Sequence, residues 1–248
     1  MAAEATSEAV VLRRTGSGEA DRRLTLFTEP FGKLDVVAKG AKKPGSRLAG
    51  SSEPLVRAVF TWAEGRVRRF VTQVQPITSY PRLRADYDKT ASALSLLELF
   101  AVSTPFESPL VGLYSILVTS LEAMEESDDA LPALVWGQSR LLDAEGVHPD
   151  WTAYVDTGGP LLDNPTWVSP SVGGPVSTAQ AYLHADGFPA SAEVLIALKK
   201  VAEREAPPVR LRHSQECLSV LFRFWRHVLG ERLPATESLI RGFSDQAG

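Results

Sequence analysis

The stretch Arg22-Arg-Leu-Thr-Leu-Phe-Thr28 decides the fold of the first third of the chain, together with Leu34-Asp-Val-Val-Ala-Lys39, which follows after a short turn. Both stretches alternate with period two, which is typical of half-buried β-strands. We expect positions 24, 26, 34, 36 and 38 to face inward and positions 23, 25, 27, 35, 37 and 39 to face outward. Two adjacent strands of this kind predict an antiparallel hairpin.

Three further segments, residues 8–14, 56–63 and 66–74, also have the composition of short strands bounded by turn residues. Five short strands with one long polar connection between them favour a small barrel over a sandwich. The sequence therefore predicts a five-stranded β-barrel of the oligonucleotide-binding (OB) type over residues 1–80.

After Pro76 the apolar residues recur at spacings of three and four, which indicates amphipathic helices. We predict helices over 82–103, 107–125, 129–145, 191–205 and 214–229. Residues 146–189 are rich in Gly, Pro, Asp and Ser, and predict a loop-rich excursion. The predicted fold class is α+β and multidomain, with the barrel over 1–80, a helical domain in two parts over 81–146 and 190–248, and an insert over 147–189.

Charge is distributed unevenly along the chain. Residues 1–84 hold 15 Lys and Arg against 8 Asp and Glu, whereas the remainder holds 11 against 22. A basic surface at one end of an acidic chain favours a polyanionic partner. The single cysteine, Cys217, and the absence of an apolar run of about 20 residues favour a cytoplasmic protein without disulfides, a cysteine-rich metal site or a membrane span.

The basic residues of the barrel are the candidate nucleic-acid-binding residues, because lysine and arginine neutralise phosphates and release counterions. A solvated basic face without function is the alternative. Exposed rings at Phe27, Phe31 or Trp62 could stack on bases, although each is more often a packing residue. The candidates are Arg13, Arg14, Arg22, Arg23, Lys33, Lys39, Lys42, Lys43, Arg47, Arg68 and Arg69, with Arg66 as a further basic position.

Other motifs give no support for catalysis. The glycine spacing of residues 40–47 is that of a triphosphate-binding loop, but the essential lysine is missing and Pro44 removes an N–H donor. Histidines 148, 184, 213 and 227 lack metal-ligand spacing, and the carboxylates at 122, 125, 126, 128 and 129 are interpreted as a solvated helix end, with an acidic partner patch as the alternative. We predict no enzymatic activity and no cofactor, since nuclease-type clusters of Asp, Glu and His are missing.

The N-terminal sequence resembles the signature of RecO, a family of bacterial recombination mediators. The similar segments are Val10-Val-Leu-Arg-Arg14, Gly18-Glu-Ala-Asp-Arg22, Leu24-Thr-Leu-Phe-Thr28, Gly32-Lys33, Val37-Ala-Lys-Gly-Ala-Lys-Lys43 and Ser46-Arg47. The resemblance implies an OB-type barrel, a helical domain and a zinc-finger insert. It also implies binding of single- and double-stranded DNA, strand annealing and, with RecR, help in loading RecA onto DNA coated by single-strand-binding protein.

The resemblance further implies that the helical domain contacts the acidic, apolar C-terminal tail of single-strand-binding protein. The basic residues available for that contact are Arg140, Lys199, Lys200, Arg204, Arg223 and Arg226. A nucleoid-associated location in the cytoplasm is expected, without a membrane partner. The alternative function is a basic protein–protein adaptor that binds DNA only incidentally.

The insert departs from the family pattern. Many RecO proteins carry two Cys-x-x-Cys pairs, whereas the matching segments here are Trp151-Thr-Ala-Tyr154 and Ser177-Thr-Ala-Gln180. These side chains cannot supply the thiolates that a structural zinc site needs. We therefore expect a degenerate, zinc-free finger over 147–189, held by packing of Trp151, Tyr154 and Trp167 instead of by metal.

Overall fold

The computed structural model describes residues 3–246, and the chain divides into two compact units, Met1–Glu125 and Glu126–Gly248. The strands of the first unit are β1 (Glu4–Ser17), β2 (Asp21–Thr28), β3 (Gly32–Ala38), β4 (Arg57–Glu64) and β5 (Arg69–Thr78). They form a closed barrel in the order β1-β2-β3-β5-β4. The pair β3–β5 is parallel and the other pairs are antiparallel. This five-stranded closed barrel confirms the predicted OB-type fold.

The first unit also contains helices α1 (Leu48–Ser51), α2 (Pro81–Arg84), α3 (Tyr87–Ser103) and α4 (Leu113–Glu126). Helix α3 begins after Asp86, whose carboxylate accepts a hydrogen bond from the Lys89 N–H at 3.0 Å. The helix predicted over 107–125 begins only at Leu113, because the preceding segment binds to β3 through a 2.8 Å hydrogen bond from the Glu107 N–H to the Lys33 carbonyl. The compact units group α2 and α3 with the barrel, and the domain boundary proposed at residue 80 stays a prediction.

The barrel interior holds the residues that alternation placed there. Leu24, Leu26, Leu34, Val36 and Ala38 are all buried in one cluster, as predicted. Phe27 and Val37 are outside this cluster, as their outward assignment predicts, but both side chains are buried. The ring at position 27 packs edge-on against that of Phe100 in α3, with centroids 5.3 Å apart. A helix therefore covers part of the outer face of the barrel.

Arg57 joins the barrel to α4. Its Nε donates to the Glu8 carboxylate and a terminal nitrogen donates to the Glu122 carboxylate, both at 2.5 Å. The Tyr114 hydroxyl donates to the same Glu8 oxygen at 2.9 Å, and burial raises the pKa of this hydroxyl. The Glu125 carboxylate accepts the N–H groups of residues 82 and 83 in α2. Two members of the acidic group at 122–129 are therefore bound to protein partners, which corrects the interpretation of that group as a solvated helix end.

The second unit contains helices α5 (Leu131–Ala144), α6 (Ala192–Ala202), α7 (Ser214–Leu229) and α8 (Pro234–Gln246), of which α8 was not predicted. Between α5 and α6 lie β6 (Thr166–Ser169), β7 (Gly174–Val176) and β8 (Phe188–Ala190), which form an antiparallel sheet in the order β7-β6-β8. The loop-rich insert thus has a small sheet at its centre. Within residues 3–246, no helix is long and apolar enough to cross a membrane.

Candidate nucleic-acid interface

A cleft of about 770 Å³ lies between the β1–β2 turn and the β4–β5 turn of the barrel. It is lined by residues 15–18 of the first turn, residues 64–69 of the second, part of β3, and Phe106 and Glu107 after α3. In OB folds, the loops between strands 1 and 2 and between strands 4 and 5 flank the site for oligonucleotides. The cleft therefore occupies the position of a nucleic-acid site in this fold.

Four arginines line the cleft, and their charges are compensated to different degrees. Arg23 donates from Nε to Asp35 at 2.9 Å, and Arg69 donates to two glutamates, at 2.8 and 2.7 Å. The hydrogen bond from Arg69 lowers the pKa of the Glu107 carboxyl, and the same bond raises the pKa of the guanidinium. Arg66 and Arg68 are exposed, and neither has an ion-pair partner in the described part of the chain. These two guanidinium groups carry the uncompensated positive charge of the cleft.

Two lysines lie at the border of the cleft. The Lys39 ammonium is 4.2 Å from the centroid of the Phe70 ring, one residue beyond the arginine at position 69. The Lys42 ammonium donates to the Gly18 carbonyl in the β1–β2 turn at 2.9 Å. Neither lysine lines the cleft, but Lys42 is bound to a residue that does, and the ring under Lys39 directly follows one in sequence. Arg13, Lys43 and Arg47 are exposed but do not line the cleft.

Burial removes Lys33 from the candidate set. Lys33 is only 4% exposed, and its Nζ donates a hydrogen bond to the Ala101 carbonyl at 2.7 Å. Burial lowers the pKa of this ammonium. The prediction that Lys33 contacts DNA was wrong, because the end of α3 and the segment after it cover this position, which the sequence analysis left in the turn before Leu34.

Arg22 and Arg14 are bound within the barrel unit. Arg22 donates to the Ala49 carbonyl, to the Ser52 hydroxyl and to the Glu53 carboxylate, which also pairs with Arg14 at 2.8 Å. The Arg22 side chain is only 14% exposed. Its predicted role as a phosphate contact is therefore corrected to the anchoring of the long β3–β4 connection. The four-residue helix α1 in that connection also agrees with the rejection of a triphosphate-binding loop.

The aromatic residues named from sequence do not form a stacking surface. Phe27 and Trp62 are buried, which confirms the interpretation of these two rings as packing residues and excludes the alternative of base contacts. Phe31 is partly exposed, but its ring packs edge-on against that of Trp62 at 5.4 Å and does not line the cleft. Phe106, which sequence reasoning missed, is 53% exposed and lines the cleft. Its only signal in the sequence is a large apolar residue directly after the helix-ending pair Thr104-Pro105.

Five of the six basic residues predicted for partner binding have a local contact of their own. Arg140 pairs with Asp143, Lys199 lies 4.0 Å from Glu203, and Arg204 donates to a nearby carbonyl. The guanidinium of Arg223 covers the Phe188 ring at 4.3 Å, and that of Arg226 lies 5.9 Å from the Phe222 ring. A pocket of about 520 Å³ in this unit is lined by His148, Phe224 and His227 among others, but by none of the six. The partner site stays a prediction.

The insert positions that would carry zinc ligands are occupied by bonded or packed side chains. The Trp151 ring is buried edge-on against Phe224 at 5.2 Å. The Tyr154 hydroxyl accepts N–H bonds from residues 162 and 163 and donates to the Asp163 carboxylate at 2.9 Å. The Ser177 hydroxyl donates to Asp156, while Trp167 is half-buried on β6. This donor set does not fit zinc, and no group of three or more His, Cys, Asp or Glu that could hold a metal lies within residues 3–246.

Comparison with known families identifies the chain. A family model described as Recombination protein O N terminal matches residues 1–80, and the model Recombination protein O C terminal matches residues 84–237. The chain belongs to the RecO family. This membership confirms the resemblance found in the N-terminal segments and gives the chain a role in DNA repair and recombination.

Individual RecO proteins are similar over much of the chain. The DNA repair protein RecO of Roseiflexus sp. is 33% identical over 236 residues, covering 92% of this chain and 82% of that protein. The protein of the same name from Heliobacterium modesticaldum is 35% identical over 184 residues, with 73% and 67% covered. That of Exiguobacterium sibiricum is 38% identical over 143 residues, and the match spans 57% of its length. Within the RecO family this chain is a variant without zinc-finger cysteines, since its one cysteine, Cys217, is buried in α7.

Proposed function

We propose that this RecO-family chain is a DNA-binding recombination mediator that works without enzymatic turnover at the nucleoid, in the cytoplasm. It binds single- and double-stranded DNA along the barrel cleft and anneals complementary strands. With RecR it assists the loading of RecA onto DNA coated by single-strand-binding protein. The observation that carries this proposal is the pair Arg66 and Arg68, exposed and uncompensated in the β4–β5 turn that flanks the cleft.

Contacts from these residues go to phosphates. Guanidinium and ammonium groups bind the backbone of either nucleic acid form, and such contacts carry no base information. Arg66, Arg68, Lys39 and Lys42 are the proposed contacts of this kind. A strand held by its phosphates keeps its base edges free to pair with a complement, which is what annealing requires.

Carboxylates in the cleft moderate the expected affinity. Asp35, Glu64 and Glu107 line it and are paired with the other two arginines. These carboxylates repel phosphate, so the proposed binding depends on a few uncompensated charges. We therefore expect affinity to fall steeply with salt and to be nearly independent of sequence.

The test is a charge-reversed double variant, Arg66→Glu with Arg68→Glu, titrated against labelled single strands and duplexes by fluorescence anisotropy at several salt concentrations. Loss of two phosphate contacts should lower the salt slope by about 1.4 for single strands and about 1.8 for duplexes. Arg212→Glu is the matched control, because Arg212 is exposed, lies in the other unit and is outside the proposed sites. Unchanged affinity and slope in the double variant would contradict the site.

The tail of single-strand-binding protein is proposed to bind the second unit. Lys200, Arg223 and Arg226 are exposed there, and the two arginines lie over the rings of Phe188 and Phe222. Basic groups next to apolar rings suit an acidic, apolar peptide. Titrating the tail peptide into the wild type and into Lys200→Glu or Arg223→Glu tests the assignment. Tight protein binding, with DNA bound only at very low salt, would favour the adaptor function instead.

A further inference from the structure

Among the described residues that line the cleft, Phe106 is the only aromatic one. It is 53% exposed, whereas the other phenylalanine near the cleft, Phe70, is half-buried under the Lys39 ammonium. Exposure of this apolar ring to water is unfavourable, and a ligand that covers the ring would remove that free-energy cost. The exposed face of this ring is therefore suited to contact a flat, apolar group.

The backbone at Phe106 is fixed to the barrel. Residue 106 forms a β-bridge with Lys33, and the next N–H donates to the Lys33 carbonyl at 2.8 Å. A Cβ on Gly32 would lie 2.5 Å from the Ser108 carbonyl oxygen, and Gly32 also has φ of +65°. Only glycine permits so close an approach at this backbone conformation. The segment that carries the ring is thus docked tightly on β3.

The ring itself is also held. The Lys33 ammonium lies 4.5 Å from its centroid, on the buried side, and is oriented by its bond to the Ala101 carbonyl. On the other side of the backbone, the Glu107 carboxylate is bound by Arg69 of β5 at 2.7 Å. Because the ring is already ordered, little conformational entropy is lost when a ligand covers its exposed side.

We propose that Phe106 is a base-stacking platform for single-stranded DNA, a specificity residue of the cleft. The inference rests on the proposed binding of DNA by the cleft. One unpaired base stacks on the exposed ring while Arg66 and Arg68 hold neighbouring phosphates. Bases inside a duplex have both faces covered by their neighbours, so the platform favours single strands over duplexes, which phosphate contacts alone do not.

The experiment compares three ligands with matched phosphate numbers: a labelled single strand, an abasic strand and a blunt duplex. The variants are Phe106→Ala, Phe106→Leu, which keeps apolar bulk without a π-face, and Phe106→Tyr, which restores the ring. Alanine and leucine should weaken single-strand binding roughly 5- to 100-fold, as one lost stacking contact does, and leave the abasic strand and the duplex unchanged. Tyrosine should restore wild-type affinity. Val111→Ala is the control, because Val111 is fully exposed and outside the cleft.

The outcomes separate the two proposals. Equal losses on all three ligands, or no loss on the single strand, would overturn stacking by Phe106. If Arg66→Glu with Arg68→Glu weakens all three ligands while the Phe106 variants change none, DNA binding by the cleft stands and only the platform falls. If neither set of variants changes any affinity, both fall.

Discussion

The Asp156 carboxylate accepts two hydrogen bonds from Ser177, one from its backbone N–H at 3.1 Å and one from its hydroxyl at 2.5 Å. Asp163 makes a similar connection, since its carboxylate accepts the hydroxyls of Thr178 and Tyr154 at 2.5 and 2.9 Å. Both carboxylates precede β6 and both partners at 177 and 178 follow β7. These bonds, which we call the carboxylate clasp, join the stretch that includes and follows Tyr154 to the segment that begins at Ser177, the two places where the resemblance to RecO implied zinc ligands.

The clasp predicts that the insert is sensitive to acid. Hydrogen bonds from Ser177 lower the pKa of Asp156, and those from Thr178 and Tyr154 lower the pKa of Asp163 below the ordinary value of 3.8. A carboxyl group with a lowered folded-state pKa stabilises the fold above its unfolded pKa, and this contribution is lost as the pH falls through the folded value. Hydrogen exchange should therefore show the insert opening below pH 3.8 while its protection is constant near neutrality.

Asp156→Asn should reproduce part of this acid effect at neutral pH. The neutral amide oxygen is a weaker acceptor than a carboxylate, and because the group is partly exposed the loss should be about 1 kcal/mol. The measurement is exchange protection of the Ser177 amide together with thermal unfolding. Asp128→Asn, at an exposed aspartate without a hydrogen bond or ion pair among the described residues, is the control. Identical behaviour of the two variants at every pH would refute the clasp.

Gly187→Ala should destabilise the insert by about 1–3 kcal/mol through overpacking. An added Cβ would lie 2.0 Å from the Trp167 Nε1 atom and 3.0 Å from the His184 carbonyl oxygen. The backbone of Trp167 is held in the central strand β6, so relief requires the half-buried indole to rotate, and the nearby His184 oxygen belongs to the backbone. Thermal unfolding measures the effect, and Trp167→Ala in the same chain should relieve it.

The control for this substitution is Gly242→Ala. A Cβ there would meet nothing within 4 Å, and the position is inside helix α8. Alanine should stabilise this helix by up to about 1 kcal/mol, since glycine is a poor helix former. If both alanine variants behave alike, close packing of residue 187 against the indole is not what selects glycine.

The sequence predicted the barrel well because alternation is a local property. The inward positions from Leu24 to Ala38 follow from the period of two, and the glycine-containing turns separate the strands. The same period placed Phe27 and Val37 on the outer face of the barrel but gave no sign that both are buried there. Whether a helix later in the chain covers an outward face is a non-local property that no strand pattern contains.

The candidate site shows the same limit. Arg22 and Arg23 are neighbours with equal charge, yet the first anchors a connection and the second lines the cleft, a difference set by the acids that the fold brings near each. Phe106 has no periodic context, and its exposure depends on how residues 105–109 dock on β3. Charge counting therefore pointed to the barrel as a whole and could not choose among its arginines and lysines.

Lys33 lies in β3 and Lys39 directly follows the last residue of this strand. Substitution of each by methionine should have a different effect. Lys39→Met removes an exposed charge that we propose contacts phosphate, and it should reduce the single-strand salt slope by about 0.7, with little effect on unfolding. Lys33→Met should leave the slope unchanged, because its ammonium is buried and cannot reach a phosphate. Its loss leaves the Ala101 carbonyl without the Nζ donor, which should cost about 1 kcal/mol near neutral pH.

Alkaline pH provides the control for this pair. Burial lowers the pKa of Lys33 from 10.5, so the folded state binds fewer protons than the unfolded state and the wild type gains stability as the pH rises toward that value. The stability difference between wild type and Lys33→Met should therefore increase from pH 7 to pH 10, since the neutral amine still donates to the carbonyl. The thermal unfolding midpoints of Lys39→Met should follow those of the wild type over the same range. A salt slope that falls in Lys33→Met as it does in Lys39→Met would restore Lys33 to the set of phosphate contacts.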